Sequence, residues 1–245
     1  NRAFSFFAKS SAQAMICGAR VIGVRGNFDQ ALEMARAASR EKGRLAIVNS
    51  VNPYRLFGQR SAAWEICDEL GAPPDWLSLP VGNAGNISAY CAGFEFYREI
   101  GLISKLPRLI GVQAEGAAPM VKGAPVDNPE TVATAIRIGR PVSASLARRA
   151  VELTNGQFLS VSDEEILDAQ KILASGNGIF AEPASCAPLA GLIKLKKLGK
   201  LPSGIRIVMV LTGNGLKDPD AASGRGETPI EIDGTQEALE EALGL

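Results

Sequence analysis

Three short stretches carry residues whose types and spacing suit anion binding. The first is Gly82-Asn83-Ala84-Gly85-Asn86, set between an apolar run (76–81) that reads as a buried strand and a stretch (87–100) that reads as a helix. Two glycines let the backbone come close to a ligand, and a helix start offers unpaired N–H groups. Such a turn cradles a phosphate through backbone donors and the positive helix end, although the pentapeptide by itself equally suits an ordinary strand-to-helix turn. The second is Asn49-Ser50-Val51-Asn52-Pro53-Tyr54-Arg55, directly after a short apolar strand at 45–48. Polar residues just beyond a parallel strand sit where α/β sheets place ligands, and Asn, Ser and Arg together can hold an anion on the planar guanidinium fork. An N-cap followed by a surface Arg is the plainer reading of the same residues. The third is Thr212-Gly213-Asn214-Gly215, a second Gly-rich turn, with a hydroxyl at the end of a strand at 205–211.

The elements that must position these turns follow from periodicity. Residues 8–18 read as a helix, 19–24 as a strand, 29–42 as a helix with Asn27 as N-cap, and 45–48 as the next strand. This alternation implies an α/β domain with a parallel sheet. A helix is expected over 54–70, opened by Pro53, then a Pro-rich break at 71–75 before the third strand. A fourth strand spans 108–114 and closes on Glu115, which should lie close to the site without an assigned role. Residues 117–128 read as a loop over a site or a subunit contact, and 131–136 as a helix stopped at Gly139-Arg140-Pro141. Further helices are expected at 143–154, at 163–174 behind a Ser162–Glu165 capping box, and from Glu182-Pro183-Ala184-Ser185 to about residue 198. Lys194, Lys196, Lys197 and Lys200 read as a solvated face near that helix's C-terminus. The 205–211 strand is almost wholly apolar and reads as central, and an acidic helix at 236–243 follows.

Composition narrows the function classes. The 245 residues are enough for one large or two modest domains, and Lys plus Arg balances Asp plus Glu at 26 each. That balance argues against nucleic-acid or membrane-surface partners, and no apolar run has the length of a membrane span. There is no histidine. Ser-His-Asp triads, Cys-His dyads and His-based metal sites are therefore excluded, and proton chemistry falls to Lys, carboxylates, Tyr or a cofactor. Cys17, Cys67, Cys91 and Cys186 follow no metal-ligand spacing and read as buried free thiols of a reducing, cytoplasmic compartment. Residues 1–10 lack the apolar segment and cleavage site of a signal peptide, and the chain, without an initiator Met, opens as if within a domain.

Five segments occur in a telling order: Val48 to Arg55, Pro80 to Ile87, Ala133 to Gly139, Glu182 to Ser185, and Leu211 to Pro219. Together they resemble the shorter bacterial and archaeal threonine synthases, pyridoxal-phosphate (PLP) enzymes of the tryptophan-synthase-β fold group. The resemblance runs over about residues 12–220. It implies PLP fold type II: three-layer α/β domains with open, mostly parallel sheets, and the cofactor in the cleft between two domains. On that template residues 1–50 are the remainder of the smaller domain. Residues 51–245 are the larger, PLP-binding domain without its N-terminal elements.

The roles that the resemblance implies are specific. Gly82, Asn83, Ala84, Gly85 and Asn86 would bind the cofactor phosphate, and Thr212 the pyridine nitrogen. Asn49, Ser50 and Arg55 would hold the substrate phosphate. The implied reaction is O-phospho-L-homoserine plus water giving L-threonine plus phosphate, with PLP acidifying the α and then the β proton, and no metal. One departure is large. The family's Schiff-base lysine lies in a Ser-Phe-Lys-Asp-Arg motif and its ring oxygen is held by a Ser-Thr-Gly-Asn loop, and neither occurs in this sequence. Lys9 sits in a different context. The expectation is an N-terminally incomplete threonine synthase, inactive alone, forming a homodimer or associating with a missing N-terminal part. A threonine dehydratase or cysteine synthase-like lyase, and a noncatalytic chain that kept only the phosphate turn, are the alternatives.

Overall fold

The computed structural model describes residues 14–42, 45–49, 51–219, 221 and 230–244. Its centre is a four-stranded sheet built from β1 (Trp76–Pro80), β2 (Arg108–Ala114), β3 (Gln157–Val161) and β4 (Ile207–Met209). The order is β3-β2-β1-β4 and every pairing is parallel, with Trp76 opposite both Arg108 and Ile207, and Ala114 opposite Val161.

Side-chain alternation along the strands divides the core between two faces. Leu77, Leu79, Val81 and Leu109 pack on one face against α3 (Ser61–Leu70), α4 (Gly85–Glu99) and α6 (Ala144–Leu153). Trp76, Ile110, Val112 and Ala114 pack on the other against α7 (Asp163–Asn177) and α8 (Pro183–Lys197). The result is three layers, helix–sheet–helix, as parallel sheets require. The remaining helices are α1 (Phe28–Lys42), α2 (Pro53–Gly58), α5 (Pro119–Lys122) and α9 (Gln236–Leu243).

Local signals account for most boundaries. The Asn27 side chain accepts from the Gln30 N–H at 3.0 Å and opens α1. Both halves of the Ser162–Glu165 capping box are formed, and Gly178 ends α7 in the left-handed conformation. Several expectations are corrected. Residues 19–24 and 45–48 are not strands: a parallel strand exists only through its ladder partners, and none pairs with these segments among the described residues. The 54–70 helix is two helices, interrupted after Gly58, the poorest helix former in the stretch after Pro. Residues 131–136 form only a single 3₁₀ turn, Thr134–Ile136, because Asp163 captures the Thr131 hydroxyl and the Val132 N–H. The loop at 117–128 contains α5, fastened by Gln113, which accepts from the Met120 N–H at 2.8 Å. β4 is shorter than expected and lies at the sheet's edge rather than its centre; its residues are only half-buried. Lys194 also leaves the expected solvated face, donating to the Ser160 carbonyl at 2.8 Å and pairing with Glu165. Most of the helix expected over 8–18 lies outside the described residues; within them, residues 14–16 are helical.

Candidate active site

The sheet order places the site. From β1 the chain steps to β2 and β3 on one side, then returns through α8 to β4 on the other. Loops leaving β1 and β4 therefore diverge, and the crevice they leave at the carboxyl ends of the strands is the usual ligand position in an open α/β sheet. A cleft of about 550 Å³ lies there. Its walls include Gly82 to Asn86 after β1, Thr212 after β4, and Arg55 from α2.

The β1–α4 turn is shaped for an anion. Ala84 caps α4 with φ 63°, a left-handed conformation that is unfavourable for a residue with a Cβ, and its methyl is wholly buried. That backbone reversal turns successive N–H groups to one side. Among the described residues no protein acceptor meets the N–H groups of Gly82, Asn83 or Ala84, and the first N–H groups of α4 have no partner within the helix. A Cβ on Gly82 would lie 3.0 Å from the Ile136 Cα and 3.1 Å from the Ala135 carbonyl oxygen, so a glycine is what lets the turn press against the 134–136 turn.

The two asparagines act on the protein itself. Asn83 Oδ1 accepts from the Val142 N–H at 2.7 Å, and its carbonyl accepts from Ser143. Asn86 donates to the Pro80 carbonyl at 2.7 Å and accepts from the Ile87 N–H. Their side chains brace the turn and leave the Gly82, Asn83 and Ala84 N–H groups without a protein acceptor.

On the opposite wall, Thr212 Oγ1 lies 3.1 Å from Ser185 Oγ, which accepts from the Gly213 N–H at 2.8 Å. Glu182 lies behind them. Its N–H donates to the Gly213 carbonyl at 3.0 Å, and its carboxyl fills the space a Gly213 side chain would need. Burial pushes the Glu182 carboxyl above its usual range, against the opposing pull of the Lys217 charge.

The structure brings Gly82, Asn83, Ala84, Gly85, Asn86, Thr212 and Arg55 to one cleft. Asn49 is exposed and does not line it, and Ser50 lies outside the described residues. Glu115 is likewise exposed at the end of β2, away from the lining. Arg55 is the one charged side chain among the described residues that line the cleft. Gln59 and Tyr90 line it too, though nothing in their local sequence marked them. Ser185 and Glu182 were visible as part of a conspicuous Glu-Pro-Ala-Ser start to α8, but their role depends on a contact across 27 residues of chain.

Unpaired N–H donors on one wall, a hydroxyl on the other and a single cation in the lining suit a heteroaromatic ring that carries a phosphate. No cluster of three or more metal-ligating side chains occurs among the described residues, and no helix among them is long and apolar enough to cross a membrane.

Fold and cleft together define an α/β protein of the phosphate-cofactor-binding kind. The family model of pyridoxal-phosphate dependent enzymes matches residues 8–213, and the chain belongs to that family. It is 55% identical over 210 residues to the threonine synthase of Synechocystis sp., covering 86% of this chain and 54% of that protein. It is 50% identical over 236 residues to the threonine synthase of Mycobacterium tuberculosis, covering 96% and 65% respectively. The chain thus spans between about half and two thirds of the length of these curated relatives. Among solved structures, the T.th. threonine deaminase superposes with a TM-score of 0.65 at 23% identity over 91% of this chain and 68% of that one. The tomato (Solanum lycopersicum) threonine deaminase isoform 2 gives 0.67 at 22%, over 85% and 58%. At these identities the structural likeness speaks for the fold, which is that of the fold-type-II PLP enzymes.

Proposed function

We propose that the chain carries the cofactor- and phosphate-binding part of a threonine synthase, a carbon–oxygen lyase that converts O-phospho-L-homoserine and water to L-threonine and phosphate. The observation that carries this reading is the presence of two separate anion-holding features in one cleft, a neutral backbone turn and a single arginine. A deaminase acting on threonine needs only the first. The sequence likeness to threonine synthases, at about twice the identity found with the deaminase structures, favours the same choice.

The backbone N–H groups of residues 82–86 would hold the cofactor phosphate, with Asn83 and Asn86 bracing the turn. Thr212 would pair with the ring nitrogen as a neutral hydroxyl, which leaves that nitrogen largely unprotonated. Arg55 would hold the substrate phosphate and steer it to the leaving position, while Asn49 lies outside the cleft lining. Bound there, PLP would supply the electron sink that acidifies the protons next to the substrate's amino-bearing carbon.

The chain's own contribution is to bind and orient. The lysine that would hold the cofactor covalently is assigned to a motif these residues do not contain, and the chain is proposed to bind PLP noncovalently and to be inactive alone. Residues 1–50 are read as belonging to a smaller domain and 51–245 to the larger. A homodimer, or association with a complementary chain segment, and a cytoplasmic setting complete the proposal. The free thiols of all four cysteines suit that setting.

Competition binding tests the reading. With PLP present, the chain should bind O-phospho-L-homoserine at least about tenfold more tightly than L-homoserine, and Arg55→Ala should abolish the difference, since a charge-assisted phosphate contact is worth that much or more. Equal affinities in the unsubstituted chain would contradict the assignment.

A further inference from the structure

We infer that Ser185 is a positioning residue that aims the Thr212 hydroxyl proton into the cleft, so that Thr212 donates a hydrogen bond to the ring nitrogen of the cofactor. The inference rests on the cleft reading above and assigns the direction of one hydrogen bond within it.

Hydroxyl arithmetic carries it. Ser185 has one proton to give and two lone pairs to offer. The Gly213 N–H takes one lone pair at 2.8 Å. The proton then has two destinations, Thr212 Oγ1 at 3.1 Å and Glu182 Oε1 at 3.5 Å. Hydroxyl-to-oxygen bonds fall at about 2.5–3.0 Å, so the Thr212 contact lies next to that range and the Glu182 contact far outside it. The Ser185 proton therefore goes to Thr212. Thr212 cannot return its own proton along the same line, and its O–H is left for the cleft it lines.

Three further features hold this arrangement. Ser185 is wholly buried, so its proton is shielded from solvent. Its backbone is fixed in the first turn of α8, where its N–H donates to the Glu182 carbonyl at 2.9 Å and Pro183 precedes it. The Glu182 carboxyl packs against Gly213, where no side chain fits, and Glu182 is tied to the Gly213 carbonyl through its own N–H. The reverse arrangement would have Thr212 donating to Ser185 and offering only lone pairs to the cleft. It would require Ser185 to span the longer gap to Glu182. A donor at Thr212 selects a ring nitrogen that is an acceptor, that is, unprotonated.

The test is a comparison of two ligands, PLP and its 1-deaza analogue, in which a C–H replaces the ring nitrogen. Affinities are measured by titration of the whole chain. The unsubstituted chain should prefer PLP over the analogue by about fivefold, the worth of one hydrogen bond. Ser185→Ala should erase that preference by weakening PLP while leaving the analogue within about twofold. Thr212→Val should do the same, and the double variant should lose nothing more. Ser185→Cys keeps the packing with a weak donor and should give an intermediate, ligand-selective loss, which carries the test if the alanine variant does not fold. Equal losses for both ligands in the Ser185 variants would mean a merely structural role and would overturn the inference, as would unchanged affinities. If the unsubstituted chain binds PLP but does not distinguish the two ligands, the inference also falls while the cleft reading stands. If it binds neither, the cleft reading itself falls, and the inference with it.

Discussion

At the scale of single residues, the site works by leaving some groups free and tying others down. The asparagines of the β1–α4 turn look like ligand-binding side chains in sequence, yet both are consumed in bracing the turn. The backbone N–H groups between them are what remains. Glu182 is the opposite case, a carboxyl with little access to water and a pKa raised chiefly by that burial. A carboxyl whose folded pKa lies above its unfolded value binds its proton more tightly in the native state. Stability therefore falls as pH rises from the unfolded value through the raised one. Glu182→Gln should flatten the part of the stability–pH curve that falls above the ordinary carboxyl range, as read by urea unfolding at several pH values. A parallel curve for the variant would mean that the buried carboxyl is not the source.

At the scale of elements, close approach is the organising constraint. α4 crosses α3 with Gly93 against the Arg60 carbonyl, and a Cβ on Gly93 would lie 2.8 Å from the Ala63 Cβ. Trp64 from α3 donates its indole N–H to the Gly93 carbonyl at 3.1 Å across the same contact. Because the neighbour is backbone, Gly93→Ala should destabilise the chain by about 2 kcal/mol through overpacking. Gly176→Ala, in the last turns of α7 with open space around it, should instead stabilise by roughly 0.5–1 kcal/mol. Chemical denaturation of the two variants gives both signs in one comparison.

The same contrast explains what could be read from the sequence. The capping box of α7, the bounds of β2 and the start of α8 follow from local chemistry and were legible. The split between α2 and α3, the lone 3₁₀ turn at 134–136 and the edge position of β4 depend on partners distant in the chain. The Ser185–Thr212 contact, made across two elements, has no local sequence signal at all.

At the scale of the whole molecule, the core on both faces of the sheet is closed enough to govern chemistry. Burial pushes the thiols of Cys67 up to about 11 and of Cys91 and Cys186 to about 12, while Cys17 is exposed. In the unfolded chain these thiols would ionise near 8.5. The native state then holds protons that the unfolded state gives up, and stability is lost as pH rises above about 8.5, by roughly 1.4 kcal/mol per pH unit for each such thiol. Alkylation read by mass spectrometry should accordingly mark Cys17 quickly and the other three only after denaturation. The Gly82–Asn86 turn stood out in sequence, but its place facing Thr212 comes from the order β3-β2-β1-β4, which brings the ends of β1 and β4 side by side.

The most direct measurement is a PLP titration of this chain and of its Gly82→Ala variant, followed by the cofactor's visible absorption, with borohydride reduction and peptide mass spectrometry on the saturated sample. Saturable binding by the unsubstituted chain, at least about tenfold weaker binding by the variant through the crowded 82–136 contact, and no lysine adduct after reduction are expected. Binding that is indifferent to Gly82, or a reduced adduct on one specific lysine, would contradict the proposed function.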